Sequence, residues 1–191
     1  MNSIKKIVVI GPESTGKSTL CEKLAAHYKT LWVPEYAREY LEKNGADYKY
    51  EDLLTIAKGQ IEMEDKTTNQ LWEVHNSLFT IHHSLFIDTD MYVMKVWAEY
   101  VFNECNNWIL NRIAERKYDL YLLCDVDLPW VQDDLREYPD EKIRKKLFHF
   151  YKDAMVNQYT PWRVISGSYE QRFQTAIDFI ETSFTKKTVL K

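Results

Sequence analysis

Residues Gly11-Pro12-Glu13-Ser14-Thr15-Gly16-Lys17-Ser18 fit the pattern G-x-x-x-x-G-K-[ST] at every fixed position. Gly11 and Gly16 permit a tight turn in which successive N–H groups point inward at the oxygens of an anion. Lys17 carries a mobile point charge to β- and γ-phosphates, and Ser18 offers a hydroxyl to Mg²⁺. Glu13, Ser14, Thr15 and Thr19 complete the loop around the nucleotide. The match follows the apolar run Ile7-Val8-Val9-Ile10 directly and opens an amphipathic helix with Leu20 and Leu24 on one face. The N-terminal dipole of that helix favours the same anion. Strand, loop and helix in this order predict a site for ATP with Mg²⁺.

Three further segments carry residues that could act on a bound triphosphate. Leu85-Phe86-Ile87-Asp88 is an apolar run ending in a carboxylate, which places Asp88 in the Mg²⁺ shell at the end of a neighbouring strand. Asp88 or Asp90 could instead cap the helix that follows, and Asp90 fits that cap and a substrate contact equally. The run Leu31-Trp32-Val33 leads into Pro34-Glu35-Tyr36-Ala37-Arg38, at the strand end where ligand crevices form in open α/β sheets. Glu35 and Arg38 could bind a ribose hydroxyl and a phosphate or polar group there, with Tyr36 beside them, and Glu35 could also take the proton of an attacking hydroxyl. A first-turn acid with an (i, i+3) surface pair is the structural alternative. Downstream, Leu128-Pro129-Trp130 to Arg144 reads as a lid at about 127–145, with Arg136, and secondarily Arg144, bringing positive charge over the transferred group. Pairing with Asp133, Asp134, Glu137 and Asp140 would explain those arginines equally. The segment Ser166-Gly167-Ser168 followed by Arg172 suits either an adenine-wrapping loop or a capping turn.

Tyr92, Trp97 and Trp130 lie near these segments and are candidate platforms for an aromatic base, although tryptophans more often serve the core. The five histidines have no zinc spacing, and most are expected to face solvent. Cys21, Cys105 and Cys124 are scattered without a C-x-x-C pair, the pattern of buried thiols in a reducing, cytoplasmic setting. A net charge of −4 without a basic stripe is the wrong balance for nucleic acid. No apolar run approaches the ~18 residues of a membrane span. No feature of the sequence sets an oligomeric state.

These residues need a frame that brings strand ends together. Five short runs, Lys6–Ile10, Thr30–Val33, Leu85–Asp88, Leu120–Cys124 and Arg163–Ile165, alternate with stretches of helical length. The helical stretches are Lys17–Tyr28, Glu51–Asn76, Met91–Glu115, Asp140–Gln158 and Tyr169–Phe184, the second with a stripe of Leu53, Leu54, Ala57 and Ile61. Alternation of this kind implies parallel strands joined by right-handed crossovers. The expected architecture is one α/β domain over residues 1–191: three layers, P-loop kinase-like, around a five-stranded parallel sheet.

Gly11–Leu20, Val33–Leu41, Phe86–Asp90 and Tyr118–Asp140 together resemble the ribosylnicotinamide kinase domain of the bifunctional NAD-biosynthesis regulator, within the AAA-type ATPase/kinase group of the P-loop NTPases. The likeness runs through nearly the whole chain. Its distinctive parts are Gly-Pro-Glu-Ser-Thr-Gly-Lys-Ser-Thr, Val-Pro-Glu-Tyr-Ala-Arg and Asp-Leu-Pro-Trp-Val-Gln-Asp-Asp. The resemblance implies ATP-dependent phosphorylation of the 5′-hydroxyl of nicotinamide riboside. Carried over by position, it implies Lys17 and Ser18 on phosphates and Mg²⁺, Asp88 in the metal shell, Glu35 and Arg38 at the nucleoside, and Arg136 in the lid. The bifunctional relatives carry an adenylyltransferase domain upstream; with the phosphate loop starting at residue 11, that activity is expected to be absent here. A deoxynucleoside or nucleoside-monophosphate kinase is the alternative enzyme, and a slow regulatory ATPase module the alternative class.

Overall fold

The structure is a computed structural model that describes residues 4–77 and 84–185, the side chains of 74–77 excepted. Ile7-Val8-Val9-Ile10 form the middle and end of strand β1 (Lys5–Ile10), and all four are fully buried. A strand covered on both faces needs apolar residues at consecutive positions, which is why the run does not alternate. The other strands are β2 (Trp32–Val33), β3 (Ser84–Asp88), β4 (Leu120–Cys124) and β5 (Trp162–Ile165). They join β1 in a five-stranded sheet of order β2-β3-β1-β4-β5, parallel at every pairing. Val9 pairs with Asp88 and Ile10 with Leu123, so the ends of the three central strands meet at one edge.

Seven helices surround the sheet among the described residues: α1 (Lys17–Tyr28), α2 (Tyr36–Asn44), α3 (Tyr50–Ser77), α4 (Met91–Phe102), α5 (Asn107–Glu115), α6 (Glu141–Val156) and α7 (Tyr169–Thr185). Alternate strand residues face opposite sides. Ile7, Val9, Phe86 and Leu122 pack with Leu20 and Leu24 of α1 and Ile177 of α7. Val8, Ile10, Ile87 and Leu123 pack with Val93 of α4 and Leu147 and Tyr151 of α6. The result is the expected three-layer P-loop domain.

Three elements depart from expectation. Helix α2 lies outside the five expected helical stretches; it buries Ala37 and Leu41, four residues apart on one face, with Ala37 packed among Leu53, Ile56 and Ala57 of α3. The stretch from Met91 to Glu115 is two helices. Asn103 closes α4 in a left-handed conformation (φ 56°), and the Asn106 side chain accepts from the Trp108 amide to start α5. In α3 the buried stripe runs Leu53, Ile56, Ala57, Gln60 and Glu64, while Leu54 and Ile61 are only partly covered. His27 and His149 face solvent as expected; His75, His82 and His83 lie outside the described side chains. No helix among the described residues is long and apolar enough to cross a membrane.

Candidate active site

The phosphate loop hangs between the end of β1 and the start of α1. Gly11 has φ +140°, and a Cβ there would stand 2.7 Å from the Cys124 carbonyl oxygen of β4, so only glycine fits. Ser14 and Gly16 also adopt positive φ (56° and 77°), turning neighbouring N–H groups toward one side. The buried Thr15 hydroxyl donates to the Pro12 carbonyl (2.7 Å) and holds the curve. Lys17 Nζ donates to the same carbonyl at 3.1 Å, which keeps the ammonium over the loop's concave side.

The β3 end meets this loop. Asp88 is wholly buried; its Oδ2 accepts from the Ser18 hydroxyl at 2.5 Å, and its Oδ1 has no hydrogen-bond partner. Burial pushes its carboxyl up from 3.8 to about 6; Lys17 and Ser18 pull it down, and Glu35 pushes it further up. The folded state therefore holds the proton more tightly than the unfolded chain between about pH 4 and 6. Stability is lost as pH rises through that window and stays lost above it. Asp88→Asn is accordingly expected to stabilise the metal-free protein at pH 7.5 by on the order of 2 kcal/mol, and not at pH 4. Denaturant titrations at both pH values in EDTA check this; equal stability of variant and wild type at pH 7.5 would contradict it.

Glu35 sits at the N-cap of α2, and its Oε1 accepts from the Thr89 hydroxyl at 3.3 Å. Thr89 has φ 77°, rare for a β-branched residue, and its amide is held by the Val9 carbonyl (3.3 Å). One side chain from α3 ties the two strand ends together. Gln60 accepts from the Tyr36 amide (2.7 Å) and donates to the carbonyls of Pro34 (3.3 Å) and Asp88 (3.2 Å). Gln60→Leu keeps the size and strips three backbone groups, one buried and two partly buried, of their partner. It is expected to cost about 2–4 kcal/mol, read as a lower urea midpoint at unchanged m.

Residues 125–140 cross above the loop. Glu13 Oε2 accepts from the amides of Glu137 (3.0 Å) and Tyr138 (3.1 Å), and Ser14 Oγ accepts from the Val131 amide (2.9 Å). Burial raises the Glu13 carboxyl above its usual range, opposed by those amides and Lys17. Arg38 donates to Asp133 at 2.8 Å, and Arg136 to the Val131 carbonyl. Beneath this cover lies a cavity of about 370 Å³. Gly11–Thr19 form one end, Glu35, Arg38 and Arg136 the middle, and Val96, Trp97, Tyr100, Tyr138, Leu147 and Tyr151 the apolar end. Tyr48 braces that end, accepting from Trp97 Nε1 (2.7 Å) and donating to Glu137 (3.0 Å).

A family model for an AAA domain, AAA_28, matches residues 6–172. The chain belongs to that family. Escherichia coli K12 has a relative, the trifunctional NAD biosynthesis/regulator protein NadR, that is 26% identical over 182 residues, 93% of this chain and 42% of that protein. A crystal structure of NadR protein in complex with NR superposes with TM-score 0.73 at 25% identity, covering 94% of this chain and 49% of that one. Thymidylate kinase from Ehrlichia chaffeensis shares the fold with TM-score 0.65 at 16% identity, covering 94% of this chain and all of that one. The chain thus spans less than half the length of the NadR proteins it matches.

In this AAA_28 chain, several residues expected at the ligand do other work. Asp90 caps α4 through the amides of Tyr92 (3.0 Å) and Val93 (3.4 Å), and its second oxygen accepts from Tyr121 (2.7 Å). It is 2% exposed and lies outside the cavity lining. Tyr36 packs over Gly59 of α3, where a Cβ would stand 2.0 Å from its ring. Tyr92 turns its edge to Tyr121 and lines a separate groove between α4 and α6. Trp130 lies outside the cavity lining under the Arg144 guanidinium, 5.3 Å from the ring centroid. Arg144 is 4% exposed, and its Nε and one Nη lack partners.

Arg172 is 2% exposed and braces the loop from behind, donating to the carbonyls of Thr15 (3.1 Å), Asp125 (3.1 Å) and Gly167 (2.8 Å) and to the Asp127 carboxylate. Gly167 donates to the other Asp127 oxygen (2.6 Å), and its φ of +92° closes the β5–α7 turn. Neither residue lines the cavity; Tyr169, against Gly16, does. Gln60, Tyr48, Tyr138, Tyr151 and Tyr169 were not read from sequence. Only Gln60 left a signal there, as a polar residue at a buried-stripe position of a long helix.

Proposed function

We propose that the chain is an ATP-dependent kinase that transfers the γ-phosphoryl group of Mg-ATP to the 5′-hydroxyl of a nucleoside, nicotinamide riboside first. One observation carries the reading: a phosphate loop, the Glu35 carboxylate at a strand end and an aromatic pocket share one cavity under an arginine-bearing segment, with the buried Asp88 reaching the loop through Ser18. About 370 Å³ lies within the range of small-molecule sites. The chain is read as one domain with a lid at about 127–145.

The β- and γ-phosphates lie on the N–H groups of residues 11–18, with Lys17 leaving Pro12 to reach them. Asp88 Oδ1, buried without a partner, and the adjacent Ser18 hydroxyl fit Mg²⁺, which uses one or two protein groups and completes its shell from phosphate and water. Bound there, the ion supplies charge neutralisation on the β- and γ-oxygens. Glu35 orients the acceptor hydroxyl and takes its proton. Arg136 answers the charge that develops on the transferred group, and the covering segment excludes water.

Trp97, Tyr100, Tyr138 and Tyr151 line the end that would receive the base, and Glu137 gives that end a negative charge suited to a cationic ring. The NadR structure solved with NR supports nicotinamide riboside as that base-bearing acceptor. Arg38 is engaged by Asp133, with Glu42 at 3.9 Å, and Lys43 by Glu39, so among the described residues β2–α2 holds no unpaired cation for a monophosphate acceptor. ADP release with Mg-ATP against nicotinamide riboside, thymidine, cytidine, thymidylate and water tests the reading. Release dependent on a nucleoside is expected. Slow release independent of any acceptor would replace the kinase with an ATPase.

A further inference from the structure

Glu13 poses a problem inside a phosphate loop, because a carboxylate there repels the phosphate oxygens the loop gathers. Its contacts resolve this. One oxygen accepts from two consecutive amides, Glu137 and Tyr138, in a segment 124 and 125 residues away. The next residue, Ser14, accepts from the Val131 amide. These contacts fall on either side of Arg136, whose guanidinium turns back to the Val131 carbonyl between them. A charged acceptor with two N–H donors is among the stronger hydrogen-bonding arrangements, and the three amides come from a stretch with no helix or strand to satisfy them.

We propose that Glu13 and Ser14 are positioning residues that clamp the covering segment to the phosphate loop and so set Arg136 over the transferred group. The inference rests on the kinase reading above. Its consequence is that the loop binding the nucleotide also fixes the arginine that acts on it, with the Glu13 oxygen serving as an acceptor and its negative charge not itself required. A direct contact of the Glu13 charge with acceptor or metal is the competing role.

The two roles separate in Glu13→Gln, whose amide oxygen still accepts both N–H groups while the charge is gone. Steady-state kinetics of Glu13→Ala and Glu13→Gln are paired with tryptic cleavage after Arg136 in the presence of a non-hydrolysable ATP analogue. Glu13→Ala is expected to lower kcat about 10- to 100-fold, with KM for ATP and acceptor within about threefold. Cleavage after Arg136 should quicken in the same variant. Glu13→Gln should recover most of the lost kcat and the wild-type cleavage rate. A Glu13→Gln variant as slow as Glu13→Ala with an undisturbed cleavage rate would overturn the clamp in favour of the charge. If the wild type turns over no acceptor, the kinase reading fails on its own. The clamp is then judged by proteolysis, where equal cleavage of Glu13→Ala and wild type overturns it.

Discussion

Arg136→Ala is expected to lower turnover by about 10³-fold or more while ATP affinity changes by less than about threefold. An arginine supplied within the chain acts on charge that exists fully only in the transition state, so its removal appears in kcat and not in ground-state binding. Arg136 lines the cavity beside the phosphate loop, and among the described residues its hydrogen-bond partner is one backbone carbonyl, which a phosphate could replace. Arg38, by contrast, is held by a carboxylate, and Arg144 is buried against the face of Trp130. Single-turnover kinetics with a separate measurement of ATP-analogue binding check the prediction. A fall in ATP affinity matching the fall in turnover would make Arg136 a nucleotide-binding group and remove it from the transition state.

Glu35→Gln is expected to reduce kcat by about 10²- to 10⁴-fold with the acceptor still bound. Gln keeps the size of the side chain and an oxygen to accept from Thr89, so the local geometry survives and only the proton acceptor is lost. Thr89 is itself held in a left-handed conformation by the β1–β3 junction, which makes the Glu35 contact part of the sheet edge and not of a mobile turn. A variant that retains kcat but raises the acceptor KM tenfold would reassign Glu35 to gripping the ribose.

The parts of this site legible in sequence are those built from neighbours along the chain. A continuous apolar run, a glycine-bearing loop and a helix in succession dictated β1, the phosphate loop and α1, because each needs residue types at fixed local spacing. Asp88 was legible for the same reason, as a carboxylate ending a buried strand. Residues that work across long separations left almost no trace. The Arg172 segment fitted an adenine-wrapping loop and a capping turn equally, and the contact of its guanidinium with Thr15 spans 157 residues. Asp90 fitted cap and contact equally, and only burial beside Tyr121 decided between them. Gln60 and Glu13 act on backbone groups of distant segments, and such targets carry no side-chain signature. The end of α4 at Asn103 depended on a left-handed residue that a helical periodicity does not reveal.

The most direct measurement of the central claim is ³¹P NMR of the products formed from Mg-ATP and nicotinamide riboside by the wild-type chain. The account predicts ADP together with a phosphomonoester on the nucleoside, and little inorganic phosphate. Inorganic phosphate appearing in step with ADP, with the nucleoside unchanged, would contradict it and make water the acceptor.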